Sequence, residues 1–168
     1  NPTSIDSVTI TAKVTDNQTP SVLLWVNVAG TVNSYPMLDD GLHGDGEAGD
    51  NIYGAVIPAK PSQTIVRYWV EATDTITGRK RQQPNIKNPE TTFGYFIYDN
   101  EVTSNFPLFF WQIPQANLNT LNANPQSDNY VKGILVYNGE VFDQVGFRYR
   151  GSPWTRNWPK KHWKVQFN

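Results

Sequence analysis

The sequence predicts a mainly β protein, with a β-sandwich in its first part and a shorter β-rich segment after it. Its 168 residues include 12 glycines, 12 prolines and 13% aromatic residues, a composition that favours strands and tight turns over helices. Several short segments also alternate apolar and polar residues with the period of two that a half-buried strand requires. Turn-forming residues separate these segments at the spacing typical of sandwiches.

Five strands are predicted in the first part of the chain, and the clearest is the first, in which Val8, Ile10, Ala12 and Val14 alternate with polar residues. The predicted strands are residues 7–15, 21–28, 52–57, 64–74 and 92–98. Their inward-facing side chains define the expected core of the sandwich, which comprises Val8, Ile10, Val14, Leu24, Val26, Tyr68 and Val70.

A polar stretch near residues 100–106 predicts a domain junction, so that one domain covers residues 1–100 and a second covers residues 101–168. In the second domain, Leu118 and Leu121 lie three residues apart, which predicts a short helix. Asn138-Gly139 is a strong hairpin signal between two predicted strands. The predicted elements of this domain are a helix at 115–123 and strands at 131–137, 140–149 and 161–167.

Composition also excludes several classes of function. Lys and Arg total 14 against 15 Asp and Glu, and this net charge of -1 creates no overall field that would attract nucleic acid. The absence of cysteine excludes disulfide bonds and thiolate metal sites. No apolar run is long enough to span a membrane, and no signal peptide is visible. Because the chain starts at Asn1 rather than Met, we expect a processed or excised piece.

Two regions of the sequence resemble known families. The strings VGFRYRGSPW at residues 145–154 and PKKHWKVQFN at 159–168 resemble the N-terminal signature of the CotH family, the spore coat protein H-like atypical kinases. The glycine- and aspartate-rich stretch at 37–54 and the string YWVEATD at 68–74 resemble immunoglobulin-like or fibronectin type III-like modules that precede such domains in secreted bacterial proteins. The expected fold is therefore an immunoglobulin-like β-sandwich followed by a partial, truncated kinase-like segment.

The CotH resemblance implies an extracellular kinase that transfers a phosphoryl group from ATP, with magnesium, to Ser or Thr of a protein substrate. The nucleotide-binding residues that it implies are Arg148, Arg150, Gly151, Ser152 and Lys161. It places the magnesium-binding acids and the catalytic base beyond Asn168, so we expect no catalytic residue in this chain and no phosphotransfer by the chain alone. Pro153 and Trp154 depart from the small polar residues usual in the family, which argues against a flexible phosphate-covering loop.

The basic residues of this region also have structural interpretations. Lys161 shares a strand face with apolar residues, so its ammonium group either contacts an anion or extends to solvent from the strand end. Arg148 and Arg150 alternate with Phe147 and Tyr149, which predicts that they lie on the outer face of a strand. Cation–π contact with a nearby tryptophan, Trp154 or Trp158, is a further use for these guanidinium groups.

An acidic, glycine-rich loop is the second candidate site. Its candidate metal ligands are Asp39, Asp40, Asp45 and Asp50, with Glu47 between them. Oxygen ligands on a flexible loop are what calcium requires, but the spacing does not fit the EF-hand pattern. We expect turn chemistry, in which each carboxylate accepts a backbone N–H, with at most a weak calcium site. His43 is expected to be an exposed loop residue.

Aromatic residues form the third candidate. Trp25 and Trp69 lie on the faces of their strands opposite the aliphatic side chains, so we expect the two rings to stand together outside the core. Such a patch either stacks on sugar rings or is covered by the aromatic run at 108–111, and we expect the latter.

Three classes of function remain open on the sequence alone. The first is the N-terminal region of a secreted CotH-like protein kinase, located outside the cell or on its surface. The second is a noncatalytic β-sandwich for carbohydrate binding or adhesion, and the third is a spacer that positions a neighbouring domain.

Overall fold

The computed structural model describes residues 1–87 and 92–167 and contains two compact units, Asn1–Thr103 and Ser104–Asn168. The division lies within the polar stretch at 100–106. Each unit has a hydrophobic core of its own. No helix in the described parts of the chain is long and apolar enough to cross a membrane.

Unit 1 is a β-sandwich of two antiparallel sheets. Its strands are β1 (Val8–Lys13), β2 (Ser21–Val28), β3 (Thr31–Met37), β4 (Ile52–Ile57), β5 (Ile65–Thr73), β6 (Lys80–Gln83) and β7 (Phe93–Phe96). One sheet holds only β1 and β4, whereas the other has the order β3-β2-β5-β6, with β7 also paired to β5. All five strands predicted from alternation are confirmed, because residues that alternate between core and solvent fold most stably as half-buried strands.

The core of unit 1 lies between these two sheets. Leu24, Ile57 and Val66 are fully buried there, and the expected core residues Val26 and Val70 are also buried. Four other expected core residues are only half-buried: Val8, Ile10, Val14 and Tyr68. Ile10, Val14 and Tyr68 nevertheless pack against the buried cluster, as predicted. The physical reason for the half-burial is the unequal width of the sheets: β6 and β7 share one edge of β5, so the larger sheet is four strands wide and two strands cannot cover it.

Two strands of unit 1 were not predicted. β3 is mostly exposed, and β6 consists of the polar residues KRQQ, so neither shows the apolar alternation of a half-buried strand. β3 is instead fixed by pairing with β2 through a two-residue turn at Ala29 and Gly30, which have φ values of 49° and 89°. Positive φ at both central residues is the signature of the hairpin turn that matches strand twist.

Unit 2 is a four-stranded antiparallel sheet with two short helices. Its elements are β8 (Phe109–Gln112), α1 (Gln115–Ala123), β9 (Val131–Tyr137), β10 (Glu140–Arg150), α2 (Pro153–Arg156) and β11 (His162–Gln166), and the sheet order is β11-β10-β9-β8. The predicted helix and the Asn138-Gly139 hairpin are confirmed, with φ values of 50° and 83° in the turn. β8 and α2 were not predicted.

The core of unit 2 is built around Phe147. This ring packs with Leu135, Val145 and the edge of Trp163. It also fills the space beside Gly133, where an added Cβ would lie 2.9 Å from the ring and 2.9 Å from the Gln112 carbonyl oxygen. The face of β10 that carries Phe147 is therefore firmly packed. The residues of β10 on either side of Phe147 in sequence are directed to the opposite face of the sheet.

Candidate functional site

The acidic loop, defined here as residues 39–50, connects β3 to β4 in unit 1. It carries five acidic residues and no lysine or arginine. The loop packs closely on the sheet below it, because a Cβ added to Gly54 of β4 would lie 2.5 Å from the His43 carbonyl oxygen. Asp45 is the one carboxylate of the loop that this packing buries, so it needs hydrogen-bond partners within the protein.

Asp45 is the central carboxylate of the acidic loop and is only 1% exposed. Its Oδ2 accepts the backbone N–H groups of Asp40 at 2.8 Å and Gly41 at 3.0 Å, and its Oδ1 accepts that of His43 at 2.9 Å. Burial tends to raise the pKa of Asp45, but these backbone hydrogen bonds outweigh it and the pKa is lowered. Asp45 therefore stabilises the loop as an ionised carboxylate.

The other three aspartates of the acidic loop bind different donors. Asp39 accepts from the backbone N–H of Gly49 at 2.8 Å and of Asn51 at 2.9 Å. Asp50 accepts from the N–H of Ile52 at 2.8 Å, and Asp40 accepts from that of Leu42 at 3.0 Å.

His43 makes one further contact in this loop. Its Nδ1 lies 2.9 Å from Asp40 Oδ1, and the side chain is 38% exposed. This hydrogen bond is the main reason why the pKa of Asp40 is lowered. His43 was expected to be an exposed loop residue; it lies in the loop with its side chain partly exposed, and it also contacts the carboxylate of Asp40.

The carboxylates of the acidic loop thus have separate sets of partners. The hydrogen bonds are those expected of aspartate-stabilised turns. Within residues 1–87 and 92–167, no three or more His, Cys, Asp or Glu side chains are arranged to hold a metal ion. The weak calcium site at Asp39, Asp40, Asp45 and Asp50 remains a prediction that only a titration would test.

The second candidate site is the basic edge, defined here as Arg148, Arg150, Arg156, Lys161 and Lys164. Residues 148–164 contain six lysines and arginines and no acidic residue, in a chain whose net charge is -1. The positive charge of the protein is therefore concentrated where β10 ends, α2 forms and β11 begins.

One carboxylate from another part of unit 2 reaches the basic edge. Asp128 Oδ1 lies 2.9 Å from Arg156 Nη2 and also accepts a short hydrogen bond from Arg148 Nη1. Hydrogen bonding to Arg156 is the main cause of the lowered pKa of Asp128, and the Arg148 charge adds to it. The cluster leaves one positive charge in excess even before Arg150, Lys161 and Lys164 are counted.

Arg148 is held by packing as well as by charge. Its side chain is 13% exposed, and its guanidinium carbon lies 5.3 Å from the centre of the Tyr130 ring. The cation–π contact predicted with Trp154 or Trp158 is therefore wrong for Arg148, because the outer face of β10 brings it beside Tyr130 instead. Its Nε is buried without a hydrogen-bond partner.

Gly151 and Ser152 shape the turn from β10 into α2. Gly151 has a φ of 117°, and an added Cβ there would lie 2.1 Å from Thr155 Oγ1. Ser152 precedes the helix, and its hydroxyl accepts the backbone N–H of Thr155 at 3.4 Å. The chain at these two residues is therefore a capped helix start rather than an open loop.

Arg150 and Lys161 lie next to this turn. Arg150 ends β10 and pairs in register with His162 of β11. Its side chain is exposed and has no ion-pair or hydrogen-bond partner in the described residues. Lys161 Nζ donates to the Arg156 carbonyl oxygen at 2.6 Å and lies 5.0 Å from the centre of the Tyr149 ring. The lysine thus extends from the strand end over an aromatic ring.

Sequence reasoning missed Asp128, Tyr130, Arg156 and Lys164 as members of this site. Asp128 is separated from Arg148 by 20 residues and from Arg156 by 28, so no local pattern connects them. A usable signal was the absence of any acid among the six cations of residues 148–164, because a buried arginine there would be stabilised by a carboxylate from elsewhere in the chain.

Trp25 and Trp69 form the third candidate. Their rings are stacked with centroids 5.9 Å apart and an angle of 7° between planes, and both residues are half-buried. The prediction that they stand together is confirmed, because β2 and β5 place them directly opposite each other. Trp25 Nε1 is buried without a hydrogen-bond partner.

Comparison with known proteins identifies part of the chain. Residues 5–74 match the family described as the conditioned medium factor 2nd Ig-like domain. No curated protein and no solved structure matches the chain. The matched residues contain β1 to β5 and the whole acidic loop. Residues 5–74 therefore form an immunoglobulin-like module, and the loop belongs to that module.

Proposed function

We propose that unit 2 is the N-terminal part of a CotH-like atypical protein kinase, and that its basic edge holds the phosphates of ATP. The observation that supports this proposal most is the charge of residues 148–164, which carry six cations and no acid. Phosphoryl transfer places several negative charges in one site, and cations with backbone donors stabilise them.

The fixed and the free cations of this edge have different roles in the proposal. Arg156 donates to the carbonyl oxygens of Gly151 and Gln126, both at 2.9 Å, and so holds the turn in place. Arg148 and Asp128 pack behind it. A rigid support of this kind lowers the cost of ordering the groups that contact a ligand.

Arg150 and Lys161 are the residues proposed to contact phosphate oxygens. Arg150 is exposed at the end of β10, and its planar guanidinium suits two oxygens of one phosphate. Lys161 uses one donor on the Arg156 carbonyl oxygen, and the other two donors of its ammonium group remain for a ligand. Gly151 and Ser152 shape the turn between these two side chains.

The intact parent would use ATP and magnesium to phosphorylate Ser or Thr of a protein substrate outside the cell, and this is proposed from the CotH resemblance. In that arrangement the immunoglobulin-like module is a noncatalytic neighbour of the kinase domain.

The test is calorimetric titration of the protein with magnesium ATP and, separately, with inorganic triphosphate. We expect both to bind. We also expect Arg150→Ala and Lys161→Met each to weaken binding about tenfold, the effect of removing one charge-assisted contact. Lys60→Ala, which removes a lysine of unit 1, is the charge-matched control. Equal affinities for all four proteins, or no binding by any, would contradict the proposal.

A second candidate function rests on the stacked Trp25 and Trp69 rings. Both rings are half-buried, and the part of their surface that remains accessible would stack on sugar rings, so unit 1 would act in carbohydrate binding or adhesion. Titration of the tryptophan fluorescence with oligosaccharides tests this function, because a bound sugar changes the emission and Trp69→Ala would abolish the change. An unchanged emission would remove this candidate.

A further inference from the structure

The outer edge of β1 has backbone groups that no strand of the described residues pairs with. Val14 donates its N–H to the Asn51 carbonyl oxygen at 2.9 Å. In an antiparallel pair every second residue is hydrogen-bonded to the partner strand, so the residues of β1 that bond β4 are those an even number of positions before Val14. The intervening residues Thr9, Thr11 and Lys13 direct their N–H and C=O groups away from β4. Gly54, which faces Thr11, fits this pattern, because it bonds Leu38 on the far side of β4 at 2.8 and 2.9 Å. In the described residues no strand pairs with this edge of β1.

A groove runs along the same edge. It has a volume of about 700 Å³ and lies between β1 and the strands β5, β6 and β7. Its floor consists of half-buried or buried apolar side chains, including Ile10, Val14, Tyr68 and Val70. The groove exists because β1 and β4 are too few to cover the wider sheet, and one more strand beside β1 would lie opposite β6.

The charges on the groove favour an acidic occupant. Lys13, Arg79 and Arg81 line it, and Arg81 lies on the face of β6 directed into the groove. The two acids that also line it are engaged in their own turns: Asp74 accepts the N–H of Ile76 at 2.8 Å, and Asp16 accepts that of Asn17 at 2.7 Å. Both carboxylates remain charged, so the lining has a net charge of one positive unit, and Asp74 also interacts with Arg79. Arg81, directed into the groove, is therefore the cation that a carboxylate on an incoming strand would meet.

We propose that this groove binds an extended segment of another polypeptide, which adds to β1 as a third strand. Its backbone would bond Thr9, Thr11 and Lys13, as in other cases of strand addition to a sheet edge. Of the side chains of this segment that point into the groove, every second one would be apolar and would cover the floor. The others would be carboxylates that lie opposite Arg79 and Arg81. This site is independent of the basic edge and of any kinase activity.

The test uses a fluorescent peptide of about nine residues, which is the length of a long strand in a globular protein. Threonine occupies every second position, and the positions between them, which would face the groove, are Val, Glu, Val and Asp in that order. A second peptide carries Gln and Asn in place of Glu and Asp. We expect saturable binding of the acidic peptide by fluorescence anisotropy, and weaker binding of the neutral one. No binding of the acidic peptide, or equal binding of the two peptides, would overturn the proposal.

Two variants locate the peptide. Thr11→Pro removes an outward N–H that β4 does not use, so it should abolish binding while β1 stays paired. Arg81→Ala should weaken binding about fivefold, the effect of one partly exposed ion pair, whereas Lys80→Ala should not, because Lys80 bonds Glu71 on the opposite face of β6. If Thr11→Pro does not fold, the comparison of Arg81→Ala with Lys80→Ala still shows whether the peptide binds in the groove. Unchanged binding in Arg81→Ala contradicts the proposal, as does dimerisation of the protein through β1 in sedimentation experiments.

Discussion

The acidic loop of unit 1 and the basic edge of unit 2 both concentrate charges of one sign, but they satisfy those charges differently. In the loop, four aspartates accept backbone N–H groups of their own segment, and Asp45 alone accepts three. In the basic edge, a single carboxylate, Asp128, contacts two arginines, and Arg150 has no ion partner in the described residues. The loop is closed by its own backbone, whereas the edge has unused donors.

This difference separates structural charge from charge that is available to a ligand. A carboxylate whose oxygens are fully used by backbone donors gains little from a cation and would lose those bonds on binding one. A guanidinium or ammonium group with free donors does not have to break hydrogen bonds within the protein when it binds an anion. The comparison therefore indicates a stabilising role for the acidic loop, and it is the reason why ligand binding is proposed for the basic edge.

The largest expected effect is on the acidic loop. Asp45→Ala leaves three partly buried N–H groups without an acceptor, so we expect the melting temperature of unit 1 to fall by on the order of 10 °C. Thermal unfolding followed by circular dichroism measures the change. Glu47→Ala is the matched control, since it removes an exposed acid of the same loop. A similar effect of both variants would mean that Asp45 does not organise the loop.

The second expected effect is on the turn that shapes the basic edge. Gly151→Ala places a Cβ 2.1 Å from Thr155 Oγ1 at a φ of 117°, so we expect a loss of about 1–3 kcal/mol of unfolding free energy. Urea unfolding measures it. Gly78→Ala, which also has a positive φ but no atom near the added Cβ, should cost less. If the close contact is the cause, combining Gly151→Ala with Thr155→Ala should recover part of the loss.

The strands with apolar alternation, the 115–123 helix and the Asn138-Gly139 turn could be predicted, because each depends on neighbouring residues. β6 could not, since KRQQ forms a strand only through its pairing with β5. The same holds for the basic edge, where the sequence indicated Arg148, Arg150 and Lys161 but not Arg156 or Asp128, which folding brings together with Arg148. The half-burial of Ile10 and Val14 depends on sheet width, which alternation within a strand does not reveal.

A smaller effect should appear in the pH dependence of stability. The pKa values of Asp40 and Asp45 are lowered in the folded protein, so their contribution is present above the ordinary aspartate value of 3.8 and is lost as pH falls through the lowered pKa values. We expect Asp45→Asn to reduce this loss, because it removes the group that titrates. Melting temperatures measured from about pH 6 to pH 2 test this. An unchanged pH profile would contradict the role of the ionised carboxylate.

The most direct test of the contrast between the two regions is a pair of calorimetric titrations of the same protein, one with calcium and one with inorganic triphosphate. The account predicts that triphosphate binds, that salt and Arg150→Ala weaken its binding, and that calcium binds weakly at most, without change in the melting temperature when a chelator is added. Tight calcium binding with a large loss of stability in chelator, together with no heat from triphosphate, would contradict it.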